Sequence, residues 1–159
     1  MRIERRHTAA GQSPYQAIPF RSAVSEIRNP DGSVVFRNEA VEVPQGWSQV
    51  ASDVIAQKYF RKAGVPARLK RVKEKGVPEF LWRAVPDEEA LAALPEEQRF
   101  GGETSARQVF DRLAGAWAYW GWKGGYFSND EDARAYYDEM RFMLAAQMGA
   151  PNSPQWFNT

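Results

Sequence analysis

Several groups of residues in this chain have the types and spacing that chemistry needs. Carboxylates cluster at Asp87-Glu88-Glu89, Glu96-Glu97 and Asp130-Glu131-Asp132. Paired carboxylates can shuttle protons or hold a hard cation. Each cluster, however, falls at an expected helix start, where acidic side chains complement the positive end of the dipole, so a structural role is expected. Lys58, Arg61, Lys62, Arg68, Lys70, Arg71, Lys73 and Lys75 form a basic stretch with the sign to bind phosphate or RNA. It lacks interleaved aromatics after Phe60, and its expected role is a solvated face or a contact to an acidic partner surface. Gly121-Trp122-Lys123-Gly124-Gly125 has the glycines and lysine of a phosphate cradle but not P-loop spacing, and it follows a helix rather than a strand. An inter-helix turn is the expected reading. Trp117, Tyr119, Trp120, Trp122, Tyr126 and Phe127 can stack a ligand, but at helical spacing such a group usually forms core. The remaining polar site is Asn152-Ser153-Pro154. An amide, a hydroxyl and turn backbone can bind phosphate through neutral donors; the same tripeptide also simply starts a turn after a helix.

Composition removes other chemistries. Of 159 residues none is cysteine, which excludes disulfides, thiolate metal sites and thiol nucleophiles within the chain. The single histidine, His7, cannot build a His-rich metal site or a Ser-His-Asp triad, and it reads as a solvated arm residue. The charges nearly cancel, 21 basic against 20 acidic, so no global field draws the chain to nucleic acid or an anionic membrane. No apolar run approaches the roughly 18 residues that span a bilayer. Met1–Gly11 lacks the apolar stretch of a secretory signal. A cytoplasmic location is the default expectation.

The elements that must position these residues read as follows. Residues 1–16 have no periodicity and are expected to form a flexible or partner-dependent basic arm. Alternation through Ala23, Ser25 and Ile27, the turn Asn29-Pro30-Asp31-Gly32, and Val34-Val35-Phe36 predict a β-hairpin near 22–37. Val41-Glu42-Val43 is a second extended run stopped by Pro44. Ser48 opens a helix with Trp47, Val50, Ala51, Val54, Ile55 and Tyr59 on its apolar stripe, closed by Gly64 and Pro66. Phe80-Leu81-Trp82 suits a strand or a packed loop. Asp87–Leu94 predicts a short helix. Thr104 can cap a helix carrying Val109, Phe110, Leu113, Ala116, Trp117 and Trp120, broken by Gly121, Gly124 and Gly125. Ser128 and Glu131 make a capping box for a second helix, with Ala133, Tyr137, Met140, Leu144 and Met148 in one stripe. Two antiparallel helices around a glycine-rich turn follow. The last nine residues, with Trp156 and Phe157, are expected to be extended and to seek a sheet or core beyond Thr159, as a truncated chain would.

These words, in order, resemble a family. Trp47-Ser48-Gln49-Val50-Ala51, then Gln57–Pro66, Phe110-Asp111-Arg112-Leu113-Ala114, Tyr126-Phe127 and Pro151–Thr159 resemble the N-terminal region of adenosylcobalamin-dependent (class II) ribonucleotide reductases. The resemblance covers most of residues 15–159. It implies a mainly α domain with a small β-hairpin (α+β) over 17–150, and 151–159 as the start of a ten-stranded α/β catalytic barrel absent from this chain. The implied enzyme is a ribonucleoside-diphosphate reductase supplying deoxyribonucleotides for DNA synthesis, although the residues leave diphosphate and triphosphate substrates both open. Its cofactor would be adenosylcobalamin, whose Co–C homolysis generates a cysteine thiyl radical.

The implied partners are the remainder of the same polypeptide, the ribonucleotide substrate and a nucleotide effector; no membrane or nucleic acid is expected. By resemblance, Ser153 would lie near the substrate phosphate or ribose, with Asn152 beside it. The family chemistry needs at least three cysteines, and this chain has none. Alone it is expected to be inactive, with no catalytic residue and no cobalamin contact assignable. Two other readings stand beside this one: a free-standing nucleic-acid-binding module using Lys58–Lys75, and an interaction domain whose aromatic end docks a partner.

Overall fold

Asn29 and Asp31 reverse the chain through their own side chains, Asp31 Oδ1 accepting from the Ser33 amide at 2.8 Å and from its hydroxyl at 2.6 Å. The computed structural model describes residues 1–159, the side chains of Ile27 and Phe36 excepted. It pairs β1 (Phe20–Arg28) with β2 (Val34–Pro44) antiparallel across this turn. The hairpin is longer than predicted. Val41-Glu42-Val43 is not a separate run but the far half of β2, reached through an irregularity between Ala23 and Ser25. Ala23, Val41 and Val43 face inward.

Ser48 caps α1 (Gln49–Val54) by accepting from the Ala51 amide at 3.1 Å. The helix continues as one wide turn over Ile55–Tyr59 and stops at Phe60, short of Gly64. The buried stripe differs from the one expected. Ser52, Ile55 and Ala56 are inside, whereas Val50 and Val54 are exposed. Two-residue pairing of β3 (Val65–Pro66) with β6 (Phe100–Gly101), and three-residue pairing of β4 (Leu69–Arg71) with β5 (Ala84–Pro86), folds the middle of the chain. Phe80-Leu81-Trp82 is a packed turn with Leu81 buried, not a strand. Asp87 caps α2 (Glu88–Ala92) as expected.

The centre is α3 (Ala106–Lys123) packed on α4 (Asp130–Ala145). The caps differ by one residue from expectation. Ser105 with Gln108 forms the capping box of α3, and Asn129 caps α4. Gly121 does not break α3. It is buried within it, because a Cβ there would meet the Phe127 ring at 2.7 Å; the chain turns at Gly125, φ +70°. Val109, Phe110 and Leu113 of α3 are fully buried with Tyr15, Val41, Val43, Ile55 and Trp156. Each large side chain so buried contributes roughly 1.5–3 kcal/mol. Ala114 and Ala118 form a second cluster with Tyr137, Val77 and Leu81.

Residues Met1–Thr8 form no helix or strand and lie along α4. The Ile3 amide donates to Asp132, and the amides of Arg6, His7 and Thr8 all donate to the Glu139 carboxylate at 2.9–3.2 Å. His7, expected to be merely solvated, is exposed yet stacks on Phe142 with centroids 4.9 Å apart. The C-terminal residues also differ from expectation. Asn152-Ser153-Pro154 opens a helical turn, α5 (Ser153–Asn158), rather than an extended segment. Proline in the first turn and Asn152 before it account for this locally.

Candidate functional site

Asn152 and Ser153 sit at the exposed start of α5. The Asn152 side chain makes no capping hydrogen bond; the backbone carbonyl of Asn152 accepts from the Gln155 amide at 3.1 Å. The Ser153 hydroxyl lies 2.9 Å from the Tyr59 hydroxyl. Two neutral hydroxyls and a side-chain amide are thus brought to one surface, a set that can hydrogen-bond a phosphate or sugar oxygen. The carboxylate clusters are not drawn into it. Asp87, Glu96-Glu97 and Asp130–Asp132 stand at caps or in first turns, as their sequence positions suggested.

Aromatic rings fix the α5 turn. Tyr59 stacks on Trp156 at 5.3 Å and meets Phe157 at 5.1 Å. Trp156 is buried, and its indole N–H donates to the Pro151 carbonyl at 2.8 Å. Trp117, expected as core, also reaches this turn and donates to Gln155 Oε1 at 3.0 Å.

The residue that ties the site together is Arg112, which sequence reasoning did not single out. Its guanidinium donates to the Tyr59 carbonyl at 2.7 Å, the Trp156 carbonyl at 3.3 Å and the Thr159 carbonyl at 2.8 Å. It also pairs with Glu103 at 2.9 Å, and Glu103 accepts from the Arg61 amide at 2.8 Å. One planar cation thus joins α3, the end of the α1 turn and α5. The only sequence signal was its place in the family-like word Phe110-Asp111-Arg112-Leu113-Ala114; nothing local announced three distant carbonyls.

A second polar seam was equally invisible. Asp138, 1% exposed, receives Arg5 at 2.8 Å, Arg141 at 2.5 Å and Arg134 at 3.3 Å. Arg141 also reaches Asp111, which accepts from the Tyr15 hydroxyl at 2.8 Å. Burial, with the Asp111 carboxylate beside it, pushes the Tyr15 hydroxyl well above the usual phenol range. Burial raises the Glu139 carboxyl, but the Thr8 hydroxyl and the amides of His7, Arg6 and Thr8 outweigh it and leave Glu139 below the usual value. The Asp138 and Glu139 carboxylates are thus held by guanidinium groups, a hydroxyl and backbone amides.

Among the described residues, no three His, Cys, Asp or Glu side chains converge to hold a metal ion. Among the described residues, too, no helix is long and apolar enough to cross a membrane.

Comparison with known proteins agrees with the resemblance. A family profile described as class II vitamin B12-dependent ribonucleotide reductase matches residues 21–147. Over all 159 residues the chain is 74% identical to a vitamin B12-dependent ribonucleotide reductase of Bradyrhizobium diazoefficiens, covering 13% of that protein. It is 69% identical to the one of Agrobacterium fabrum, covering 12%. A Streptomyces coelicolor enzyme of the same name is 29% identical over 160 aligned positions. The chain spans about an eighth of the length of these relatives, and the region it matches is their N-terminal one. The chain belongs to the class II vitamin B12-dependent ribonucleotide reductase family, as the N-terminal region of such a protein.

Proposed function

We propose that this chain serves as the N-terminal domain of a cytoplasmic, adenosylcobalamin-dependent ribonucleotide reductase that converts ribonucleotides to deoxyribonucleotides. It packs on the catalytic part of the polypeptide and helps close its substrate end. The carrying observation is that similarity runs through every residue of the chain yet stops at about 13% of the relatives' length. The basic stretch and the aromatic end therefore act within a longer polypeptide, and neither a stand-alone nucleic-acid module nor a separate interaction domain is favoured.

The chain's own residues do not fit the cofactor. The single imidazole, His7, is stacked on Phe142, its amide is held by Glu139, and no thiol is present. Cobalamin and the radical cysteine belong, in this reading, to the remainder of the polypeptide. What this chain contributes is orientation. Ser153 and Asn152 donate to a substrate phosphate or ribose oxygen, with Tyr59 as the hydroxyl that positions Ser153.

The test is Ser153→Ala in the longer polypeptide. Losing one hydrogen bond to a charged oxygen is expected to raise KM for the ribonucleotide about tenfold with kcat nearly unchanged. An unaltered KM contradicts the substrate role of Ser153.

A further inference from the structure

α3 is buried on two sides, by the hairpin core and by α4, but a third stripe remains open. Gln108, Asp111, Arg112, Gly115, Ala116 and Tyr119 recur at steps of three or four and floor a groove of about 1090 Å³. The β4–β5 pair forms its other wall. Leu69 and Trp120, both lining it, are 55% and 56% exposed. Large apolar side chains left exposed in a groove of this size suit an interaction site.

Two further observations say what fills it. Arg112 lines the groove and holds the Thr159 carbonyl at 2.8 Å, so the backbone at residue 159 lies beside the groove. In the relatives, seven-eighths of the polypeptide lies outside the matched region. Second, Arg61 and Lys73 line the same groove and form no ion pair within 4 Å among the described residues, whereas Arg83 there acts on Glu74. Their charge suits an acidic side chain on whatever enters.

Gly115 adds to this. It sits in the middle of a helix, where glycine costs about 1 kcal/mol relative to alanine. The nearest contact a Cβ there would make is the Tyr137 ring, at an ordinary 3.7 Å. Packing within this chain therefore does not require glycine, and a floor without a side chain here leaves room along the groove.

We infer that the groove between β4–β5 and the open stripe of α3 is the seat of a segment of the same polypeptide C-terminal to Thr159, apolar with at least one acidic side chain. This rests on the reading above that the chain continues into a catalytic part.

The test exploits the absence of cysteine from this region. Leu69→Cys is introduced into the longer polypeptide, and its alkylation rate is read by peptide mass and normalised to the urea-unfolded protein. Val35→Cys at the hairpin tip, where the native side chain is 59% exposed, is the control. Neighbouring cations would speed a free thiol introduced at Leu69, so slowing is meaningful. The expected result is labelling at least tenfold slower at Leu69→Cys than at Val35→Cys. Adding Gly115→Leu, which fills the floor, should restore labelling with the near-UV circular dichroism unchanged. Equal rates at the two thiols overturn the inference. So does protection that arises only when ribonucleotide is added, because the occupant is then the ligand, and so does protection that survives Gly115→Leu. If Ser153→Ala leaves KM unchanged while Leu69→Cys stays protected, the substrate role fails and this inference stands.

Discussion

The two ends of the chain are both tied to the α3–α4 pair, by opposite means. The N-terminal arm gives its backbone amides to buried carboxylates, and Arg5 finds its counter-ions inside the chain. The C-terminal turn gives its backbone carbonyls to one cation, Arg112, and keeps Ser153, Asn152 and Phe157 exposed. The first arrangement is closed and serves stability. The second fixes a backbone while leaving side chains free, which is what a surface that meets something else requires.

The comparison can be broken at its strongest point. Asp138→Ala leaves Arg5 and Arg141 without their buried counter-ion, and removing one partner of such a group typically costs about 3–5 kcal/mol. Urea unfolding should show this as a large fall in midpoint. Arg112→Ala strands Glu103, which is 6% exposed. It should cost slightly less, about 3 kcal/mol. Unlike the first variant it should free α5 selectively, seen as proteolysis near Trp156 under conditions where the arm stays protected. If both variants loosen both ends equally, the two ties are not independent.

Acid sharpens the same contrast. The Glu139 carboxyl is held below its usual value in the folded chain, so its contribution is present above the unfolded pKa of about 4.3 and is lost as pH falls through the lower folded value. Hydrogen exchange at the amides of residues 6–8 should lose its protection as pH falls below the usual carboxylate range, while α5, held by a guanidinium, should keep its protection until the core fails. Glu139→Gln should bring the same loosening to neutral pH, at about 2 kcal/mol. Smallest of all, Ser48→Ala should cost about 1 kcal/mol through the lost cap of α1, with no effect on either end.

Much of the frame was legible because it rests on local rules. The Asn29–Ser33 turn, the Ser48 and Asp87 caps, the α3–α4 hairpin and the acidic first turns all follow from short spacings. The misses have a common cause. Val50 and Val54 point outward because the face of α1 that meets the core is that of Ser52, Ile55 and Ala56, a choice made by the packing and not by local spacing. Gly121 looks like a breaker until Phe127 is known to lie on it. The arm is ordered by Glu139, more than 130 residues away, and the C-terminal turn by Arg112. Single charged residues that collect distant backbone groups leave no pattern in sequence. Ser153 and Asn152 were legible as candidates, whereas the ties of their turn to Tyr59 and Arg112 were not.

The most direct measurement replaces the matching first residues of the Bradyrhizobium diazoefficiens relative, 74% identical, with this chain. Adenosylcobalamin-dependent reduction of ribonucleotides is then assayed with a dithiol reductant. The expected result is turnover close to that of the parent, and little or none when residues 1–159 are deleted. Full turnover in the deletion, or a chimera that folds yet is inactive, would contradict the reading of this chain as a working part of the reductase.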